Sequence, residues 1–338
     1  MKLYIINRKL LYALCILFPV IVLFVSLFIG RYRVDMPEVL SILGSAFSGA
    51  ERGDIPYTVI WEIRMPRALM ALVVGGALAV SGGALQGVFR NPLVDSGMLG
   101  VSSGAGFGAC LAILIFGNNA SAYMFAFIFG VLAVFLSYLI SKVYKSAPTI
   151  TLILGGVIIS AIFNALISFT KYVADPFEQL PAITFWLMGS FARANYRDLA
   201  LALIPIFLGI TGIMLLRWRI NLLSVGDREA QTLGVNAKLC RIILIICTAL
   251  ATAGAVCMSG TIGWVGLIIP HICRMLCGND NRVLLPVSLS LGACFMLIVD
   301  NLARSLTGGE IPIGVLTALI GGPFYILLLS RTKGGGSW

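Results

Sequence analysis

Long runs of uncharged, mostly apolar residues alternate with polar loops along the whole chain. The charge-free runs are residues 10–30, 68–89, 96–116, 121–141, 146–170, 199–216, 242–273, 283–299 and 311–330. Most have the roughly 17–25 residues that a helix needs to cross a bilayer. The 32 residues of run 242–273 would make a helix of about 48 Å, too long for one crossing and too short for two full ones. We therefore predict one full and one short helix here, divided near Gly260 and Gly263, and ten membrane spans in an all-α protein.

Small residues recur at every fourth position in several of these runs. Gly100, Gly104 and Gly108 are the plainest example, and they would lie on one face of a helix. Small residues at this spacing let helix backbones approach closely within lipid. The sequence therefore predicts a bundle of tightly packed membrane helices.

Composition agrees with a membrane protein. The chain is 59% apolar and 11% charged, with a mean hydropathy of +1.00. The first apolar run is too long for a signal peptide and lacks a small-residue cleavage site, so we interpret it as the first span. We expect a single transmembrane domain over residues 1–333. The tail 334–338 is a natural end or a remnant of a tag.

The net charge of +10 reports membrane orientation. If ten spans place both termini in the cytoplasm, 15 of the 24 Lys and Arg residues lie inside, as the positive-inside rule expects. We therefore expect a multi-pass membrane protein in contact with lipid, and no nucleic-acid partner. The eight cysteines show neither metal-ligand nor disulfide spacing, and we interpret them as packing residues.

Three loops are long enough to carry structure. Loop 31–67 lies outside and contains a half-apolar stretch, 36–47, that fits a surface helix. Loop 171–197 also lies outside, and its apolar piece 181–191 is expected to lie flat in the membrane interface.

The third loop, 217–241, is cytoplasmic. Ser224 and Asp227 form a capping-box pattern, Gly234 is a stop signal, and together they predict a helix of two to three turns. Asn236 would cap the next span.

This short cytoplasmic helix is a candidate contact for a soluble partner. It would expose Asp227, Arg228 and Glu229, and Ala230 and Leu233 would form a small apolar face. A compact helix of this kind, from Gly226 to Gly234, fits the groove of a partner protein. The alternative is an ordinary solvated connection.

Three arginines lie near membrane boundaries on the outer side. Arg64 and Arg67 flank Pro66 at the predicted start of the second span, and Arg304 lies at the end of the ninth. A cation at a helix N-terminus is unfavourable by roughly 0.3–1 kcal/mol. One interpretation is snorkelling, or pairing with Glu62 and Glu310. The other is a set of sockets for carboxylates of a partner, which the arginine fork suits.

Other chemistry has little support in the sequence. No Walker A phosphate loop, catalytic constellation or buried carboxylate relay occurs, so ATP hydrolysis would need another chain. The single histidine, His271, is either a hydrogen-bonded structural residue or a ligand or proton carrier. We expect no metal site and no cofactor. The functional alternatives are an ATP-driven importer, an ion-coupled secondary carrier and, with least support, a membrane enzyme.

Motifs along nearly the whole chain resemble those of the FecCD-type permease subunits of bacterial ABC importers. The matching segments are residues 64–67, 82–93, 99–105, 226–235, 260–274, 300–304, 310–315 and 321–324. Members of this family carry iron-siderophores, haem or cobalamin, and some carry molybdate or tungstate. The resemblance implies a homodimer with a central translocation path, two ATPase subunits that bind ATP and Mg²⁺ inside, and a substrate-binding protein outside.

The resemblance also implies roles for particular residues. Arg64, Arg67 and Arg304 match positions that receive glutamates of the binding protein. Residues 226–234 match the segment that couples to the ATPase. Asn164 and Ser168 in the fifth span would lie near the path and its gate. We expect the membrane-spanning subunit of an importer for a metal chelate, and the sequence does not identify the cargo.

Overall fold

The computed structural model describes residues 8–47, 53–117, 119–142 and 148–331, so the predicted tail 334–338 lies outside the described residues. In these ranges the chain is a helical bundle without strands. The helices are α1 Arg8–Phe28, α2 Met36–Phe47, α3 Ile55–Tyr57, a π-helix Thr58–Arg64, α4 Met65–Phe89, a 3-10 helix Ser96–Leu99, α5 Val101–Phe116, α6 Asn119–Ser141, α7 Pro148–Val173, α8 Gln179–Met188, α9 Tyr196–Val225, α10 Asp227–Thr232, α11 Ala237–Ser259, α12 Val265–Cys277, α13 Asn281–Ser305 and α14 Ile313–Arg331.

The described residues contain seven helices that are long and apolar enough to cross a membrane, and three shorter apolar helices, α5, α12 and α14. Together they correspond to the ten predicted spans. The predicted division of run 242–273 is confirmed, because α11 ends at Ser259 and α12 begins at Val265. The surface helix at 36–47 is confirmed as α2.

The second span begins earlier than its charge-free run suggested. α3, the π-helix and α4 form one continuous apolar segment, Ile55–Phe89. Tyr57 and Ile60 are buried against α1 and α2, which explains why the helix extends into this region. Arg64 and Arg67 therefore lie inside a long helix, and the predicted penalty of cations at a helix N-terminus does not apply.

The glycines predicted for packing face two different neighbours. A Cβ on Gly104 would lie 2.7 Å from the Ala133 Cβ, and one on Gly108 would meet the backbone of Phe125, so both glycines allow α5 to contact α6. Gly100 instead precedes α5 with a φ of +87°, and it faces α7. The expectation that all three share one helix face is wrong, because the chain turns at Gly100.

One predicted loop structure is also wrong. Ser224 does not cap α10, since α9 continues to Val225 and the Ser224 hydroxyl donates to the Asn221 carbonyl. α10 is only six residues long. The apolar piece at 181–191 packs Ile183 and Phe191 into the core of the bundle, and its expected place in the membrane interface stays a prediction.

Candidate functional site

A cluster of five charged residues joins the ends of three helices and the loop before α14. Arg67 of α4 lies between two carboxylates: its Nη2 is 2.8 Å from Asp300 Oδ1, and its Nη1 is 2.7 Å from Glu310 Oε1. Arg304 Nε lies 3.7 Å from Asp300 Oδ2. We call Arg64, Arg67, Asp300, Arg304 and Glu310 the arginine cluster.

The remaining donors of the cluster are used within the protein. Arg64 donates to the backbone carbonyls of Leu27, at 2.7 Å, and Tyr32. Arg304 donates to the Ser26 carbonyl at 2.6 Å and to the Asn301 side chain. These bonds attach the end of α1 to α4 and α13, so the cluster joins three membrane helices at one end of the bundle.

Burial separates the two interpretations of these arginines. Arg64, Arg67 and Arg304 are 4%, 5% and 8% exposed. The sequence offered pairing with Glu62 or Glu310 as one interpretation. The pairing with Glu310 is present, and it involves Arg67. Glu62 makes no ion pair with any described residue. The docking role of the arginines stays a prediction, and the contacts of this conformation favour a structural role.

The segment between α11 and α12, residues 260–264, is unwound. Its start is held by two hydrogen bonds: the Ser190 amide donates to the Ser259 carbonyl at 2.9 Å, and the Thr261 hydroxyl donates to the Leu187 carbonyl. Trp264 has a φ of +74°, which is strained for a residue with a side chain. Its indole fits against Gly321 of α14, where a Cβ would lie 2.7 Å from the Trp264 Cγ.

The middle of this segment has unpaired backbone groups. No N–H or C=O of Thr261, Ile262 or Gly263 forms a hydrogen bond with another described residue. Gly263 is exposed, and a Cβ placed on it would meet nothing within 4 Å. Unpaired backbone is not tolerated against lipid, and at membrane depth it occurs where it is buried in protein or lines a water-filled cavity. The exposed backbone at Gly263 therefore indicates a water-facing side of the subunit.

Three other elements meet at the unwound segment. A Cβ on Gly106 would lie 3.1 Å from Leu187 of α8, 3.2 Å from Ile167 of α7 and 3.8 Å from Thr261. A Cβ on Gly314 of α14 would lie 3.1 Å from the Thr261 carbonyl oxygen. The unwound segment is thus contacted by α5, α8 and α14, and α7 packs against Gly106, the same glycine of α5.

The two residues predicted near the path lie on α7, and their position beside the path stays a prediction. Asn164 and Ser168 are exposed on α7, within one turn of Ile167, and the Ser168 hydroxyl donates to the Asn164 carbonyl at 2.9 Å. We call Asn164, Ser168 and Gly263 the polar face.

At the end of the bundle opposite the arginine cluster, α10 is held by an ion pair and a buried alanine. Arg241 of α11 lies 2.7 Å from Asp227, whose side chain stays 39% exposed, and Ala230 is fully buried, so Ala230 does not form the exposed apolar face that the sequence predicted. Arg228 and Glu229 are exposed, and Leu233 is 63% exposed. Gly234 ends the helix with a φ of +77°, as predicted.

The same end contains two helix caps. The Asn236 side chain accepts from the Leu239 amide at 3.0 Å, which confirms its predicted cap on α11. Asp280 caps α13 and accepts from Asn221 of α9 at 2.7 Å. The hydrogen bond from Arg282 is the main cause that lowers the pKa of Asp280 to about 2. These bonds fix the ends of α9, α11 and α13 beside α10.

Sequence reasoning missed a polar link inside the bundle. Gln86 of α4 donates to the Gly266 carbonyl at 3.0 Å and accepts from Arg274 of α12 at 2.6 Å. The available signal was a single glutamine in an otherwise apolar run. His271, on the same helix as Arg274, is buried with its ring 6.4 Å from that of Phe324. This packing agrees with a structural histidine.

Comparison with known proteins places the chain in a family. The model of the FecCD transport family matches residues 17–331. The chain is 44% identical over 332 residues to the molybdate import system permease protein MolB of Haemophilus influenzae, with 97% of each chain covered. It is 36% identical over 339 residues to the vitamin B12 import system permease protein BtuC of Klebsiella pneumoniae, with 98% of this chain and 96% of the relative covered.

A solved structure has the same fold. It is an inward-facing transporter of the metal-chelate ABC type, 42% identical, and it superposes with a TM-score of 0.85 over 96% of this chain and all of the other. These matches span the helices that form the arginine cluster, the polar face and α10. The chain therefore belongs to the FecCD transport family.

Proposed function

We propose that this chain is the permease subunit of an ATP-driven importer for a metal chelate or a comparable oxyanion. It acts as a homodimer in the inner membrane, with two ATPase subunits and a substrate-binding protein. ATP and Mg²⁺ belong to the ATPase subunits. Relatives are named as permeases for molybdate, iron chelatin, hemin and vitamin B12, which supports this class of cargo.

The observation that carries the proposal is the polar face. Asn164 and Ser168 expose amide and hydroxyl groups on α7, and Gly263 exposes unpaired backbone, whereas most other exposed side chains of the membrane helices are apolar. A second copy placed against α7 and α14 would enclose this face and form an aqueous path between the subunits. The gate is then formed by α7 and α8, and Leu187 of α8 accepts a hydrogen bond from Thr261 of the unwound segment.

The bundle has two different ends, and we assign each to one side of the membrane. The distribution of Lys and Arg supports a cytoplasmic position for α10 and for both termini. Residues 217–241 then meet the ATPase, and α10 transmits its movement to α9 and α11. The exposed Leu233 supplies an apolar contact, and the Asp227–Arg241 ion pair transfers force to α11.

The binding protein docks at the opposite, external end. The arginine cluster contains three guanidinium groups and two carboxylates, so one positive charge is uncompensated within it. This excess favours an acidic partner surface. Glu310 is the most accessible member, with its side chain 39% exposed.

Uptake by the reconstituted importer tests the class of cargo. Proteoliposomes containing this chain, its ATPase and its binding protein are supplied with ATP and offered labelled molybdate, a ferric siderophore, haem or cobalamin. We expect saturable uptake of one class, which only its own unlabelled form suppresses. ATP hydrolysis without uptake of any of the four would contradict the proposed cargo class.

A further inference from the structure

A deep apolar groove lies on the side of the bundle formed by α6, α9 and α11. It has a volume of about 610 Å³, and its walls are mostly apolar side chains, including Phe127 of α6, Leu201 and Leu208 of α9, and Leu250 of α11. The described helices that line it are membrane spans. The groove is separate from the polar face, since α7, α8 and α14 contribute none of its lining.

Close helix contacts form the floor of this groove. A Cβ on Gly209 of α9 would lie 2.8 Å from the Ala251 Cβ of α11, and one on Gly254 of α11 would lie 3.2 Å from Pro205 of α9. α9 and α11 are therefore in backbone contact behind the groove, and neither can move closer to fill it.

The mouth of the groove contains a charge of each sign. Arg197 and Asp198, in the first turn of α9, both line it. Arg197 is exposed, and its guanidinium has no hydrogen-bond or ion-pair partner among the described residues. Asp198 accepts one hydrogen bond, at 2.6 Å from the Asn195 side chain. Since a cation at a helix N-terminus is unfavourable, Arg197 is expected to need an anionic partner from outside the chain.

The depth of the groove matches one leaflet of a bilayer. Leu208 lies eleven positions after Arg197, which is a rise of about 16 Å along α9. Half of a hydrocarbon core that is about 30 Å thick is a similar length. An acyl chain with its headgroup beside Arg197 would thus end near Leu208.

We propose that this groove is a binding site for a phospholipid with a primary ammonium headgroup, of the phosphatidylethanolamine type. The acyl chain lies between α6 and α9, the phosphate accepts from Arg197, and the ammonium donates to Asp198. A choline headgroup has no N–H and cannot make the last bond. The site therefore selects ethanolamine lipids over choline lipids. A helix surface that contacts bulk lipid through acyl chains alone would show no such preference for a headgroup.

Native mass spectrometry of the detergent-purified protein tests this selection. The protein is titrated with phosphatidylethanolamine and phosphatidylcholine of identical acyl chains. We expect one ethanolamine lipid per protomer, retained about tenfold more strongly than the choline lipid, which corresponds to one charged hydrogen bond. Equal retention of the two lipids by the unmodified protein would overturn the proposal. So would a cross-link between two copies through this groove, since the second copy would then be the occupant.

Variants separate the two headgroup contacts. Asp198→Asn is expected to abolish the preference for ethanolamine while phospholipid binding persists. Arg197→Gln is expected to weaken both lipids. Met124→Trp, which adds bulk at an exposed wall position, should exclude the acyl chain. Arg33→Gln, an exposed arginine of the loop before α2, is the matched control and should change nothing. An Asp198→Asn variant with undiminished selectivity would contradict the ammonium contact.

Discussion

Arg67 and Asp300 are 233 residues apart in the sequence and form an ion pair whose side chains are only 6% and 0% exposed. The Arg67 Nε also donates to Asp300 Oδ1 at 2.9 Å, so the guanidinium contacts the carboxylate through two nitrogens. This pair fixes α4 to α13 within the arginine cluster.

Removal of one member of this pair is expected to be costly. Arg67→Gln leaves the Asp300 carboxylate buried without its main partner, and we predict a loss of about 3–5 kcal/mol in the free energy of unfolding. The double variant Arg67→Met with Asp300→Leu should recover most of this loss. Thermal unfolding in detergent measures both.

The exposed pair of Arg282 and Asp280 is the control, since its side chains are 46% and 30% exposed. Arg282→Gln should cost far less stability than Arg67→Gln, because water screens an exposed ion pair. If Arg67→Gln and Arg282→Gln lower the free energy of unfolding by similar amounts, burial is not the reason why the Arg67–Asp300 pair stabilises the protein.

Close packing of α5 on α6 depends on Gly104. Gly104→Ala places a Cβ 2.7 Å from that of Ala133, and we predict a loss of about 1–3 kcal/mol in stability. Gly322→Ala in α14 meets nothing within 4 Å, so it should be neutral or stabilise by up to about 1 kcal/mol. Thermal unfolding compares the two.

The larger Gly104→Leu tests the importance of this contact for transport. We expect it to abolish uptake while the ATPase still binds, because α10 packs against α9 and α11. Normal uptake by this variant would show that the α5–α6 contact does not have to be close.

Water at the polar face can be detected with a thiol reagent. A cysteine at Gly263 meets no neighbouring atom, so the variant should fold, and we predict rapid labelling by a membrane-impermeant methanethiosulfonate in a cysteine-free background. Ala200→Cys, on an exposed position of α9, is the control and should react slowly, because a thiol in lipid does not ionise. If both positions react at the same rate, residues 260–264 do not line an aqueous path.

The contact between α10 and the ATPase is expected to depend on Leu233. Leu233→Glu replaces an exposed apolar side chain with a charge, and we predict at least tenfold weaker binding of the ATPase in a pull-down titration. Gln231→Glu adds the same charge to the same short helix without loss of an apolar contact, so its effect should be smaller. If the two variants weaken ATPase binding equally, the Leu233 side chain does not form the contact with the ATPase.

Much of this fold could be predicted from local sequence. Hydrophobic runs gave the spans, and the glycines at 260 and 263 indicated the break between α11 and α12. The Asn236 cap was predictable because it needs only residues three positions apart.

Features that depend on distant contacts were not predictable in this way. Ser224 looked like a helix cap, but burial of Leu223 continues α9 past it. Asp300 was not recognised as the main partner of Arg67, since nothing local relates α4 to α13. The position of α8 inside the bundle likewise depends on its packing against other helices.

The dependence of uptake on energy tests the central claim most directly. Cargo uptake is measured in proteoliposomes that contain this chain alone, or this chain with its ATPase and its binding protein, each with and without ATP and with an ion gradient either imposed or collapsed. We predict uptake only by the complete assembly with ATP, unaffected by loss of the gradient. Uptake by this chain alone, driven by an ion gradient without nucleotide, would contradict the account and identify a secondary carrier.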